Sequence, residues 1–196
     1  MTGGGDFMNS VLVVSSSDKG IELLSQLLNT NNVCSTATAS SSGEARRMLN
    51  NFEYDLVVIN APLKDEFGDN LAVTVTEISA SGVIIVVKSE IADDISAKVE
   101  DSGVLVVSKP IIKQVFFQSL KLALASKKRI LGLKNENIHL QQKIEEIRLV
   151  TRAKCVLIQY LNMTENQAHR YIEKQAMDMR TTRDQIAQNI LKTYET

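Results

Sequence analysis

Across the first 125 residues, apolar positions gather in short unbroken runs, separated by stretches where they recur every three or four residues. Val11-Leu12-Val13-Val14 is the first run, and Val33 to Ala39, Leu56 to Ile59, Val83 to Val87 and Val104 to Val107 follow. Between them, Asp18 to Asn29 sets Ile21, Leu24, Leu27 and Leu28 on one helical face. Further helices are predicted over Gly43 to Asn50, around Asn70 to Ala80 and near Ile91 to Val99, with a last one after Pro110. Strands buried on both faces read as continuous apolar runs, and strand–helix alternation predicts a parallel sheet covered on both sides. The expected fold class is therefore α/β, a doubly wound five-stranded parallel sheet of flavodoxin-like type, followed by helices alone.

After Phe116 the strand pattern stops. Up to Tyr160 there is no proline and Gly132 is the sole glycine, which predicts one long helix. Within it Ile130, Leu133, Asn137, Leu140, Ile144 and Ile147 recur at alternating spacings of three and four, a coiled-coil seam with an asparagine at a central a position. A buried Asn there fixes register in two-stranded coils. The g/e pairs oppose this: Arg129 with Lys134 and Lys143 with Arg148 carry like charges, and Glu136 with Gln141 gains nothing. A homodimer through this seam is expected. The competing reading packs the helix on its own first domain.

Two Thr-x-x-Gln boxes, Thr164 to Gln167 and Thr182 to Gln185, each restart a helix. In such a box the hydroxyl accepts from the third helical amide and the glutamine reaches back. Ala153, Val156, Leu157, Tyr160 and Leu161 offer one apolar face, and Ala168, Tyr171, Ile172, Gln175-Ala176 and Met179 a second. Ile186, Ala187, Ile190, Leu191 and Tyr194 offer a third. These three predict a small bundle, with Tyr160 and Tyr171 in its core.

Charge divides the chain where the pattern does. Residues 1–125 carry 9 Lys/Arg against 15 Asp/Glu, and residues 126–196 carry 13 against 8, within an overall net charge of −1. A basic second half attracts polyanions. No apolar run is long enough to cross a bilayer, and the Gly-rich start lacks the basic and apolar regions of a signal peptide. Cys34 and Cys155 read as free thiols in a reducing compartment, so a cytoplasmic location is expected. Neither a Gly-rich phosphate loop, nor a metal-ligand cluster, nor a nucleophile–base constellation is legible. No enzyme, cofactor or metal site is expected.

In open α/β sheets, chemistry sits at the carboxyl ends of the strands. Those ends carry Ser15-Ser16, Asn60, Lys88-Ser89 and Lys109-Pro110. The five-strand layout, the Tyr54 to Ile59 run and the Ser108-Lys109-Pro110 step resemble the receiver domain of two-component response regulators, over about residues 9–125. The resemblance implies an acidic pair after the first strand and a phosphoaccepting aspartate after the third. Ser15 and Ser16 stand in place of the pair and Asn60 in place of the aspartate, while Lys109 is retained. Hydroxyls and an amide do not offer the anionic oxygens that Mg²⁺ prefers, and an amide forms no acyl phosphate. Asp55, at the start of its strand, and Asp65, in the following loop, are weak rival acceptors. A pseudo-receiver acting by protein contact is expected, with Lys88 and Lys109 bonded to Asn60 or to another carboxylate.

Residues 148–192 resemble an ANTAR domain, the RNA-binding output module of certain antiterminators, through Ala153-Lys154, Ala168, Ala176-Met177, Arg180 with Thr182, and Ile186-Ala187. Cys155 and Glu173 depart from the family's pattern. The resemblance implies binding of paired hairpins in nascent mRNA leaders, which prevents a terminator hairpin from forming. Candidate RNA contacts are Arg152, Lys154, Arg170, Lys174, Arg180 and Arg183, with His169 as a stacking or polar contact. Expected divisions are a flexible N-terminus at 1–9, a pseudo-receiver at 10–125, a coiled-coil connector at 126–150 and the helical module at 151–196. Expected partners are hairpin RNA, a second copy of the chain and a regulatory protein on the pseudo-receiver, with no membrane. Two other readings stay open: a DNA-binding factor using Thr182 to Thr193 as recognition helix, and a protein-only scaffold.

Overall fold

The computed structural model describes residues 10–30 and 35–194. The N-terminal segment 1–9 and Cys34 lie outside the described residues. The chain divides into two compact units, residues 1–132 and 133–196.

The first unit is a five-stranded parallel sheet in the order β2-β1-β3-β4-β5. Its strands are β1 (Val11–Ser15), β2 (Thr36–Ala39), β3 (Leu56–Asn60), β4 (Gly82–Lys88) and β5 (Leu105–Lys109). Four helices alternate with them: α1 (Asp18–Asn29), α2 (Ser42–Asn51), α3 (Asp69–Ile78) and α4 (Ala92–Val99). A fifth, α5 (Lys113–Leu161), follows β5 and contributes to both units. The described part of the second strand begins at Thr36.

The apolar runs are explained by two cores, one on each side of the sheet. Successive strand residues point to opposite faces. Leu12, Val14, Val57, Ile59, Val83 and Ile85 therefore face Leu71, Val75, Ile95 and Val99 of α3 and α4. Val11, Val13, Leu56, Val58, Ile84 and Val86 face Leu24 and Leu28 of α1 and Phe116, Leu120 and Ala123 of α5. Gly82 permits this second packing. A Cβ there would lie 2.8 to 2.9 Å from Ala123, including its backbone. Lys127, one turn further along α5, is held by an ion pair to Asp55 and donates to the carbonyl of Tyr54.

The second unit closes α6 (Glu165–Asp178) and α7 (Arg183–Tyr194) on the end of α5. Its core is Ala153, Val156, Leu157, Ala168, Ile172, Ala176, Ile186, Ala187, Ile190 and Leu191. Alanines at four of these positions let the helices approach closely. The core is thin as a result, which corrects the placement of the tyrosines. Tyr160 is 55% exposed and Tyr171 37%, and Leu161 and Met179 are also exposed. Tyr171 lies about 100° around α6 from Ile172, beyond the edge of a face built on Ala168, Ile172 and Ala176. Tyr160 sits past the last buried turn of α5 and rests against the ring of Tyr194, centroids 5.5 Å apart.

Candidate nucleic-acid interface and receiver edge

At the carboxyl edge of the sheet, the register sets Ser15 beside Asn60. The Asn60 amide donates to Ser15 Oγ at 2.9 Å, and that hydroxyl donates in turn to the carbonyl of Ser17. Ser16 Oγ donates to the carbonyl of Pro62. Gly20 of α1 covers the pair. A Cβ at residue 20 would lie 2.6 Å from Ser15 Oγ and nearer still to Asn60 Nδ2. Lys109 Nζ donates to the main-chain carbonyl of Ala61 at 2.7 Å, and Ser89 Oγ donates to the carbonyl of Lys109. For Lys109 the expected bond to Asn60 or a carboxylate is thus corrected, because its ammonium is taken up by a backbone carbonyl. Burial, and then the neighbouring charge of Lys88, lower the Lys109 pKa.

The two rival aspartates have structural partners. Asp55 accepts from the Ser10 amide and pairs with Lys127 at the opposite end of β3 from Asn60. Asp65 accepts from the Ser42 and Gly43 amides, each at 2.9 Å, capping the first turn of α2. Those two bonds hold its carboxyl below the usual carboxylate range.

In the second unit both caps form. Thr164 Oγ1 accepts from the Gln167 amide at 3.3 Å while Gln167 Oε1 accepts from the Thr164 amide at 2.8 Å, the full reciprocal box. At Thr182 the hydroxyl accepts from the Gln185 amide. α6 ends in a Schellman turn: the Thr181 amide donates to Ala176 and the Arg180 amide to Met177. Arg180 occupies the left-handed position of that turn, at φ +50°. Glycine usually fills this position because a Cβ there costs about 1–2 kcal/mol. The chain keeps a long cation there instead.

The candidate RNA residues separate into two groups. Lys154, His169 and Arg183 meet around a cleft of about 180 Å³, together with Glu146, Ile147, Val150 and Thr151. Lys154 Nζ pairs with Glu165 at 2.9 Å, Arg183 with Glu146 at 3.2 Å, and His169 Nε2 lies 3.3 Å from Glu173. The Lys154 bond and charge lower the Glu165 pKa. Arg152, Arg170, Lys174 and Arg180 are exposed and do not line the cleft. Glu146 was not legible as a site residue in the sequence, since its partner Arg183 is 37 positions away and meets it only once the bundle closes. Among the described residues, no cluster of three or more His, Cys, Asp or Glu could hold a metal ion. No helix among them is long and apolar enough to cross a membrane.

The first unit's fold is that of response-regulator receivers. It resembles the signal receiver domain of an HD domain-containing protein from Pseudomonas fluorescens Pf-5 at TM-score 0.58 and 22% identity, covering 67% of this chain and 97% of that one. It also resembles a response regulator receiver domain from Clostridium thermocellum, at TM-score 0.56 and 20% identity over 62% and 98% of the two chains. Residues 139–191 match the ANTAR domain, downstream of the unit with the receiver fold. The chain is also 28% identical over 161 residues to the transcriptional regulatory protein PdtaR of Mycobacterium tuberculosis, covering 81% of this chain and 77% of that protein.

Proposed function

We propose that this protein is a transcription antitermination regulator that binds hairpins in nascent mRNA through its C-terminal bundle. The observation carrying the reading is the ANTAR match at 139–191, joined to a bundle that exposes Arg152, Arg170, Lys174 and Arg180 and has Lys154 and Arg183 in the lining of its cleft. RNA loops splay their bases for polar and stacking contacts while cations take the phosphates. The DNA reading is weaker: α7 buries Ile186, Ala187, Ile190 and Leu191 and carries only Arg183 and Lys192 as basic residues.

The receiver acts in this reading as a phosphate-independent docking domain. Its support is the closed Ser15–Asn60 bond under Gly20, which occupies the place where a receiver gathers carboxylates around Mg²⁺. Two copies pair along α5. Ile130, Leu133, Asn137, Leu140, Ile144 and Ile147 are all exposed in the single chain. Arg148 is bridged to Glu145 of its own helix at 3.5 Å, which tempers its repulsion from Lys143. A dimer presents two bundles to two hairpins and raises the effective concentration of the second. Anisotropy titration of the full chain against a two-hairpin RNA, a loop-scrambled RNA and duplex DNA tests the reading, which requires preference for the intact RNA.

A further inference from the structure

The cleft between the end of α5, α6 and α7 has a lining that suits one kind of occupant. Ile147 and Val150 give it an apolar wall, and Thr151, Lys154, His169 and Arg183 give it polar groups. Glu146 is the carboxylate in the lining, and the Arg183 guanidinium donates to its Oε1. An ionised carboxylate only accepts hydrogen bonds, so with Oε1 engaged, Oε2 is left to take an N–H from whatever enters. At about 180 Å³ the cleft is smaller than the roughly 300–1,000 Å³ of sites that enclose a drug-sized ligand. That size and lining suit one ring-sized group with an apolar face, an N–H-bearing edge and an attached anion to compete with Glu165 for Lys154.

We infer that this cleft is a base-reading pocket: it takes one unstacked nucleobase of an RNA loop, with Glu146 selecting a base that carries an exocyclic amino group. The inference rests on the RNA-binding reading and adds a site and a selectivity to it. In it, Val150 contacts the ring, Glu146 accepts from the amino group, and Lys154 exchanges its Glu165 partner for the adjoining phosphate. Arg183 holds Glu146 in place and is a positioning residue. Adenine, cytosine and guanine supply the amino group; uracil places a carbonyl where that group would lie, acceptor against acceptor, and its ring N3–H reaches the carboxylate only if the base shifts in the cleft.

The test scans a bound hairpin loop, replacing each base in turn by an abasic nucleotide and each amino-bearing base by uracil. Binding to the full chain and to Glu146→Gln is then measured. One loop position should be sensitive in the native chain, losing about tenfold or more on either replacement. In Glu146→Gln, whose oxygen stays with the Arg183 donor and whose NH2 faces the cleft, uracil at that position should be tolerated and the amino-bearing base should lose its advantage, while the cost of the abasic nucleotide persists. Circular dichroism confirms that the variant is folded. Binding of the intact loop with the same base selectivity in both proteins would overturn the pocket and leave the RNA reading standing. Absence of loop-dependent RNA binding in the native chain would overturn both.

Discussion

The side-chain amide of Asn60 donates to the hydroxyl of Ser15 at 2.9 Å, across two strands whose register sets the residues side by side. In a phosphorylatable receiver this edge must hold anionic oxygens apart around a cation. Here a neutral donor and a neutral acceptor satisfy each other, and Ser15 is almost fully buried. Lys109 is turned to a backbone carbonyl.

Restoring one carboxylate should therefore not restore phosphoryl chemistry. Asn60→Asp loses the donated amide and sets a charge against a buried hydroxyl, at a cost of about 1–3 kcal/mol. Neither the native chain nor this variant should form a beryllofluoride adduct with Mg²⁺ present, as read by fluorine NMR. A stoichiometric adduct in the native chain would reverse the assignment of the domain.

Gly20 tests the same edge sterically. In an ordinary helix, Gly→Ala gains about 1 kcal/mol. Here the new methyl would sit 2.6 Å from Ser15 Oγ and closer to Asn60 Nδ2, and overpacking of that kind costs about 1–3 kcal/mol. Gly20→Ala should lower the urea midpoint of the first unit, whereas Gly132→Ala, with open space around it, should not.

Asp65 gives the first unit an acid-sensitive cap. Its carboxyl lies below its ordinary value because the Gly43 and Ser42 amides bond the ionised form. A depressed folded pKa contributes stability above the unfolded pKa, and that contribution is lost as pH falls through the folded one. Asp65→Asn should be less stable than the native chain at pH 7. The difference should shrink as pH falls below about 4, which paired denaturation curves would show.

Arg180 separates fold from function. Replacing it by glycine relieves the left-handed strain at φ +50° while enlarging the unfolded ensemble. Stability should be unchanged or rise by up to about 1 kcal/mol. RNA affinity should fall all the same. Full affinity in the folded variant would remove Arg180 from the interface, and loss of fold would contradict the relief of strain.

Much of this architecture was legible in the sequence because it rests on local pattern. α1 runs over Asp18–Asn29 as its apolar spacing requires, and the Thr164 box forms in full. What escaped depends on distances that only folding supplies. Tyr160 and Tyr171 pass for core residues in the apolar pattern, but Tyr171 lies beyond the edge of the buried face of α6 and Tyr160 past the last buried turn of α5. Asp65 caps a helix 22 residues before it in sequence, and Glu146 meets Arg183 across the bundle. Periodicity carries no signal for either contact.

In the antitermination reading, the bundle reads hairpin RNA through its basic side chains. The most direct measurement is a salt titration of the full chain, and of folded Lys154→Ala/Arg180→Ala, against a two-hairpin RNA and its loop-scrambled control. The native chain should prefer the intact RNA, with affinity falling as salt rises, and the double variant should lose about tenfold or more. Equal, weak binding to both RNAs, or unchanged affinity in the folded double variant, would contradict it.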